Sequence, residues 1–207
     1  MAQVVDFASV TLTDVLFGEV WLASGQSNMA FTVSQAFNAT AECAATADFP
    51  NLRVMSVTQL GSTTPHADLG PVRLPWAVSS PSSICGYDFD YTSAVGYFFA
   101  RDLHLALGKS MPVGLIVSSV PGTPIEAVRT FYMHSTFSRV FEGPSGGQVG
   151  VLKAVRLMFW KQWADPGVLA ACSVDKKNSQ LWNNMIVPLL GVSIRGAIWY
   201  LLRTKYI

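Results

Sequence analysis

The sequence predicts one α/β domain built on a parallel sheet. Half of the 207 residues are hydrophobic and only 13% are charged, whereas about a quarter of an average soluble domain is charged. Short apolar runs alternate with turns and with segments whose apolar side chains recur at helical spacing. This rhythm is typical of a sheet whose strands are joined by crossover helices.

Four apolar runs are predicted to be strands, and the third has the pattern of a strand covered on both faces of the sheet. In chain order they are residues 19–24, Leu52–Val57, Val113–Ser119 and 196–202. Residues 10–22 also have strand character, and residues 1–17 are a candidate end of a preceding β region. We therefore expect residues 1–207 to form a single partial domain that is cut at its ends.

Helices are predicted between the strands. The clearest covers residues 91–107, where Tyr97, Arg101 and His104 fall on a more polar face than the rest. Gly108 stands where a helix-ending glycine belongs. The remaining predictions are helices at 29–37, 151–163 and 180–190, a turn into a helix at 121–126, and a proline- and serine-rich loop at 65–86.

Composition and sequence pattern exclude several functional classes. A net charge of +1 gives no excess of positive charge with which to bind nucleic acid or an acidic membrane. No apolar stretch is long enough to span a bilayer, and the N-terminus lacks the features of a signal peptide. The Asn38-Ala39-Thr40 sequon matters only in a secreted chain. The three cysteines, Cys43, Cys85 and Cys172, cannot all pair with one another, so no disulfide framework is predicted; we expect buried thiols or partners of cysteines outside this chain.

Two loops follow strands at the edge of the sheet where α/β proteins place their sites. Residues 25–29 read Gly-Gln-Ser-Asn-Met, and residues 118–123 carry Pro121 and Gly122. A serine in the first turn of a helix has its oxygen near backbone N–H groups that can stabilise an oxyanion. We expect Ser27 and Gly122 to share one cleft. The alternative is that Ser27 or Asn28 only caps the helix.

Three sequence blocks resemble the sialate O-acetylesterase family of SGNH-type esterases. They read DVLFGEVWLASGQSNM at 14–29, MPVGLIVSSVPGTPIEAV at 111–128 and LWNNMIVPLLGVSIRGAIWY at 181–200. The resemblance implies a three-layer SGNH-hydrolase-like fold, incomplete here at the C-terminus. It also implies hydrolysis of O-acetyl groups from sialic acids or related sugars, with no metal and no cofactor. The resemblance to animal members also implies a lysosomal or secreted full-length form, although this chain itself has no signal for either.

The same resemblance implies roles for individual residues. Ser27 would be the nucleophile that attacks the acetyl ester. The residues expected to bind the oxyanion or the substrate are Gly122, Gln26, Asn28, Thr123 and Glu126. For Glu126, a first-turn helix carboxylate is an equally good interpretation.

Departures from the family pattern predict impaired activity in this chain. Pro121-Gly122 stands where the family has two glycines, and proline has no N–H to donate to an oxyanion. After Tyr200, residues 201–203 read Leu-Leu-Arg instead of the family's Gln-Gly-Glu. The family's later aspartate–histidine block has no counterpart here.

The catalytic base stays open at the level of sequence. None of His66, His104 and His134 belongs to a motif like the family's histidine block, and His104 is expected to be solvated. Without a general base, serine is a weak nucleophile at neutral pH. The alternative function is therefore an inactive, truncated or splice-variant fragment of the same fold that only binds a sugar.

Overall fold

The computed structural model describes residues 11–89, 91–123 and 180–200, and these ranges contain a five-stranded mixed sheet. Its strands lie in the order β3-β2-β4-β1-β5, and every pair is parallel except β2 with β3. The strands are β1 Glu19–Gly25, β2 Leu52–Val57, β3 Val72–Val78, β4 Val113–Ser119 and β5 Gly196–Tyr200. The predicted strands are confirmed within these ranges. The strand character expected before residue 19 is wrong for residues 11–18.

Strand β3 corrects the expectation of an all-parallel sheet and of a loop across 65–86. It pairs antiparallel with β2 at one edge of the described sheet. Pro75 made this segment look like loop, because proline cannot donate to a strand ladder. An edge strand tolerates proline, and the pairing shifts register between Leu74 and Ala77, where Pro75 lies.

Five short helices and three 3-10 turns complete the described ranges. The helices are α1 Ser27–Ala30, α2 Ala39–Ala45, α3 Pro81–Ile84, α4 Ala94–Ala106 and α5 Gln180–Met185; the 3-10 turns are Val33–Gln35, Thr46–Asp48 and Val187–Leu189. The predicted helix at 180–190 divides into α5 and a 3-10 turn, because Pro188 cannot continue an α-helix. The helix predicted at 29–37 is likewise α1 followed by a 3-10 turn. The patterns at 124–126 and 151–163 lie outside the described residues.

Helix α4 shows which face of an amphipathic segment is buried. The Ser93 hydroxyl caps its start by accepting from the Gly96 N–H at 3.0 Å, and Gly108 follows its end with a φ of +73°. Tyr97 and His104 are buried, at 0% and 3% exposure, so the prediction of a solvated His104 is wrong. Its Nδ1 lies 2.8 Å from the Met111 carbonyl oxygen, a partner that satisfies a buried ring nitrogen.

Two apolar clusters pack on opposite faces of the sheet. Because side chains alternate along a strand, Leu115 faces one cluster and Ile116 the other. The first cluster includes residues of α1, α3 and α4, and the second includes residues of α5 and the 3-10 turn after it. Helices therefore cover both faces of the sheet, which confirms the α/β architecture.

A disulfide joins Cys43 in α2 to Cys85, the residue that ends α3. This pairing corrects the expectation of buried thiols for these two cysteines, and Cys172 lies outside the described residues. The bond closes a loop of 42 residues in sequence separation. Such a crosslink lowers the entropy of the unfolded chain.

Replacing Cys43 and Cys85 together with alanine should lower the free energy of unfolding by about 2–4 kcal/mol. Urea unfolding followed by circular dichroism measures this loss. The unmutated protein unfolded in the presence of a reductant is the matched control and should give the same midpoint as the variant. An unchanged midpoint in the double variant would contradict the expected stabilisation.

Candidate functional site

Ser27 lies at a sharp strand-to-helix turn. Strand β1 ends at Gly25, Gln26 is the N-cap of α1, and Ser27 is the first helical residue. The Gln26 carbonyl oxygen accepts from the N–H groups of Met29 and Ala30, both at 2.9 Å. Met29 and Ala30 are fully buried, whereas Ser27 is half-buried. The core thus holds this turn while Ser27 stays accessible to a ligand.

The capping interpretation of Ser27 and Asn28 is wrong. Gln26 occupies the N-cap position, and no side chain makes a cap hydrogen bond there. Among the residues that the structure describes, the Ser27 hydroxyl has no hydrogen-bond partner. The start of the helix therefore does not use the Ser27 hydroxyl as a hydrogen-bonding group.

Gly25 makes the turn possible. Its φ is +149°, which residues other than glycine rarely adopt. A side chain there would clash with the Tyr200 carbonyl oxygen and would lie 3.1 Å from Cβ of Met29. Close backbone packing thus requires a glycine at position 25, two residues before the candidate nucleophile.

The Gly25→Ala variant should lose about 2–4 kcal/mol of stability, because a Cβ adds both strain and a backbone clash. Chemical denaturation of the purified variant measures the loss. Gly70→Ala is the matched control, since a Cβ at Gly70 would meet nothing within 4 Å. Equal stability of the two variants would show that the packing around Gly25 is not required.

The second predicted loop lies directly beside the first. Strands β1 and β4 are parallel neighbours with Gly25 opposite Ser119. The Val120 N–H donates to the Gly25 carbonyl oxygen at 3.1 Å. The two loops are therefore neighbours, because their parent strands end side by side at the same edge; that Ser27 and Gly122 share one cleft stays a prediction.

Gly122 occupies a left-handed position in that loop, with a φ of +67°. Proline followed by a glycine of positive φ is the pattern of a type II turn. The Thr123 hydroxyl donates to the Val120 carbonyl oxygen at 2.8 Å, which holds the loop together. Pro121 therefore fixes a tight turn, but it brings no N–H to the edge.

The third sequence block reaches the same edge through β5. Tyr200 pairs with Gly25 in the parallel register, and its carbonyl oxygen accepts from the Gln26 N–H at 3.4 Å. The carboxyl ends of β4, β1 and β5 thus converge, each contributing one of the three blocks. Asn28 lies in α1 and is half-buried, and Glu126 lies outside the described residues.

Sequence reasoning missed three polar groups at this edge. Ser119 Oγ and Trp199 Nε1 are buried and have no hydrogen-bond partner among the described residues. The Gln59 amide donates to the carbonyl oxygens of Ser119 and Phe89, both at 2.9 Å. The signal for Ser119 was its place as the last residue of a predicted strand; Gln59 gave none, since a loop glutamine is common.

The described histidines lie in different places relative to Ser27. His104 contacts Met111, which precedes β4, so it lies at the opposite edge, about 20 Å away at 3.3 Å per strand residue. His66 is exposed on the segment after β2. Its backbone N–H donates to the Asn183 carbonyl oxygen at 2.9 Å. His134 lies outside the described residues. His104 is excluded as the base, since a base must lie within hydrogen-bond reach of its serine.

Two side chains of α4, Tyr97 and Arg101, have shifted pKa values. Burial raises the pKa of Tyr97, although the Arg101 charge opposes this. Burial works to lower the pKa of Arg101, but its pairing with Asp102 raises it overall. Across the described ranges, no group of histidine, cysteine and acidic side chains could hold a metal ion, and no helix could cross a membrane.

Comparison with known proteins gives relatives of one kind. The human sialate O-acetylesterase is 36% identical over 200 residues, which cover 90% of this chain and 31% of the human protein. The rat sialate O-acetylesterase is 34% identical over 208 residues, covering 96% of this chain and 38% of the rat protein. No family model matches the chain.

A solved structure has the same architecture. A carbohydrate acetylesterase from Xanthomonas citri superposes with a TM-score of 0.60 and 27% identity, covering 89% of this chain and 32% of that one. The chain spans about a third of the length of the relatives it matches. The resemblance of the three sequence blocks is thus confirmed, and this chain is a homologue of the sialate O-acetylesterases over about a third of their length.

Proposed function

We propose that Ser27 is the nucleophile of an esterase that removes O-acetyl groups from sialic acids or related sugars. The observation that supports this is the convergence of three strand ends on one half-buried serine whose hydroxyl has no partner among the described residues. The relatives named as sialate O-acetylesterases support the acetylated sugar as the substrate class.

The proposed reaction proceeds through an acetyl-enzyme. Ser27 Oγ attacks the acetyl carbonyl carbon, a base accepts the hydroxyl proton, and the sugar oxygen leaves with a proton. Water then attacks the acetyl-serine and releases acetate. Splitting one difficult displacement into two easier steps is the usual advantage of a serine nucleophile.

The oxyanion and the sugar need donors at the same edge. We assign the Gly122 N–H to the oxyanion, because the turn of which Gly122 is part hydrogen-bonds to the backbone of Gly25. Fixed donors of this kind stabilise charge that develops in the transition state. Gln26, Asn28, Thr123 and Glu126 are assigned to substrate binding.

The rate of this chain is proposed to be low. Pro121 removes one candidate N–H from the oxyanion site, and a missing donor costs about 10²–10³ in rate. Among the described histidines, His104 is too far from Ser27 to act as the base.

A second function is favoured by the same proline. A site that keeps its sugar-binding groups but lacks an oxyanion donor could bind an acetylated sugar without hydrolysing it. Acetate release from an O-acetylated sialic acid, measured alongside equilibrium binding of that sugar, separates the two functions. Release that depends on Ser27 supports the esterase, and binding without release supports the sugar-binding protein.

A further inference from the structure

We propose that Asn38 carries an N-linked glycan. Asn38-Ala39-Thr40 fits the acceptor pattern Asn-X-Ser/Thr, and the 207-residue sequence contains this pattern once. A sequon is meaningful where its asparagine is on the surface of a chain that enters the secretory pathway. Two independent features of the structure meet these conditions.

The first feature is the accessibility of the acceptor. Asn38 and Thr40 are both exposed. Asn38 precedes α2 in a left-handed conformation, with φ of 59° and ψ of 31°, and its side chain makes no cap hydrogen bond. Its backbone is fixed, since its carbonyl oxygen accepts from the N–H groups of Ala41 and Glu42, both at 3.1 Å. The acceptor asparagine is therefore exposed on a fixed backbone, and the folded protein can accommodate a sugar there.

The second feature is the Cys43–Cys85 disulfide, whose Cys43 lies in α2, the helix that begins directly after Asn38. Structural disulfides form and persist in oxidising compartments such as the endoplasmic reticulum and are rare in the cytosol. The enzyme that attaches N-linked glycans acts in that same compartment. The disulfide thus supports the oxidising compartment that the sequon requires.

The glycan comes from a lipid-linked donor. The oligosaccharide is transferred from its diphosphate lipid carrier to the Asn38 Nδ2 atom. A carbon–nitrogen bond forms at the first sugar, the carbon–oxygen bond to the diphosphate breaks, and the amide loses one proton. Neighbouring Phe37 is 98% exposed, and the apolar face of the first sugar would cover part of its ring.

Expression of the complete coding sequence in cultured eukaryotic cells tests the proposal. Total cell protein is analysed by immunoblotting and intact-mass measurement, with and without an amidase that removes N-linked glycans. We expect the untreated protein to be heavier by one core oligosaccharide, and treatment to remove this difference. Sugar transfer to the sequon precedes complete folding, so a poorly folded variant still reports on it.

Matched variants define the site. Asn38→Gln and Thr40→Ala should each abolish the mass difference, whereas Thr40→Ser should keep it because serine also completes the pattern. Asn51→Gln, outside any sequon, should leave it unchanged. A protein of unmodified mass, or a mass difference that survives Asn38→Gln, would overturn the proposal. None of these measurements depends on esterase activity.

Discussion

The Ser27→Ala variant should release acetate from an O-acetylated sialic acid at the uncatalysed rate. Removing the nucleophile of a complete serine hydrolase costs on the order of 10⁴ or more in rate. In a chain already slowed by Pro121, such a loss takes away all measurable activity. Acetate release over hours at high protein concentration, corrected for spontaneous hydrolysis, is the measurement.

A matched serine variant shows whether the loss is specific to Ser27. Ser110→Ala also removes a serine hydroxyl, but from an exposed residue just before β4, at the end of the strands far from Ser27. This variant should keep the full rate. Both variants should melt at the temperature of the unmutated chain. Residual acetate release in Ser27→Ala equal to that of the unmutated chain would refute the assignment of Ser27 as the nucleophile.

Replacing Pro121 with glycine should raise the rate of acetate release by about 10²-fold, because it returns one N–H to the oxyanion site. Glycine also loosens the turn, at a stability cost of about 0.5–1 kcal/mol. Steady-state kinetics should place the gain in kcat, since an oxyanion donor acts in the transition state and not on the bound substrate.

The Pro121→Ala variant separates a restored donor from a loosened turn. Alanine brings the same N–H without the flexibility of glycine, so both variants should gain rate. Adding Ser27→Ala to Pro121→Gly should abolish the gain. If glycine raises the rate and alanine does not, the effect comes from flexibility and the donor role of this position is wrong.

Continuous apolar runs made the parallel strands predictable. Leu52–Val57 and Val113–Ser119 match their observed strands residue for residue, because strands inside a covered parallel sheet are mostly apolar. Strand β3 was not predictable in this way. It is the outer strand of the described sheet, its residues are mostly exposed, and it contains Pro75, so its sequence resembles that of a loop.

The site was predictable in outline but not in its packing. Gly25-Gln26-Ser27 could be placed at a strand end from sequence, and so could Pro121-Gly122. The requirement for glycine at 25 arises from the Tyr200 carbonyl oxygen, a backbone group that no local pattern reveals. The pairing of Cys43 with Cys85 and the burial of His104 also depend on contacts between distant segments.

The strand order has a consequence for how the protein is made. Of the described strands, β1 is synthesised first, yet its two neighbours in the sheet are β4 and β5, which are synthesised much later. Pairing between segments so distant in sequence is slow, and an unpaired apolar strand is prone to aggregation while it waits. The turn that carries Ser27 is closed by Tyr200 at the end of β5, so the candidate site would be assembled only after nearly all of this chain has been translated.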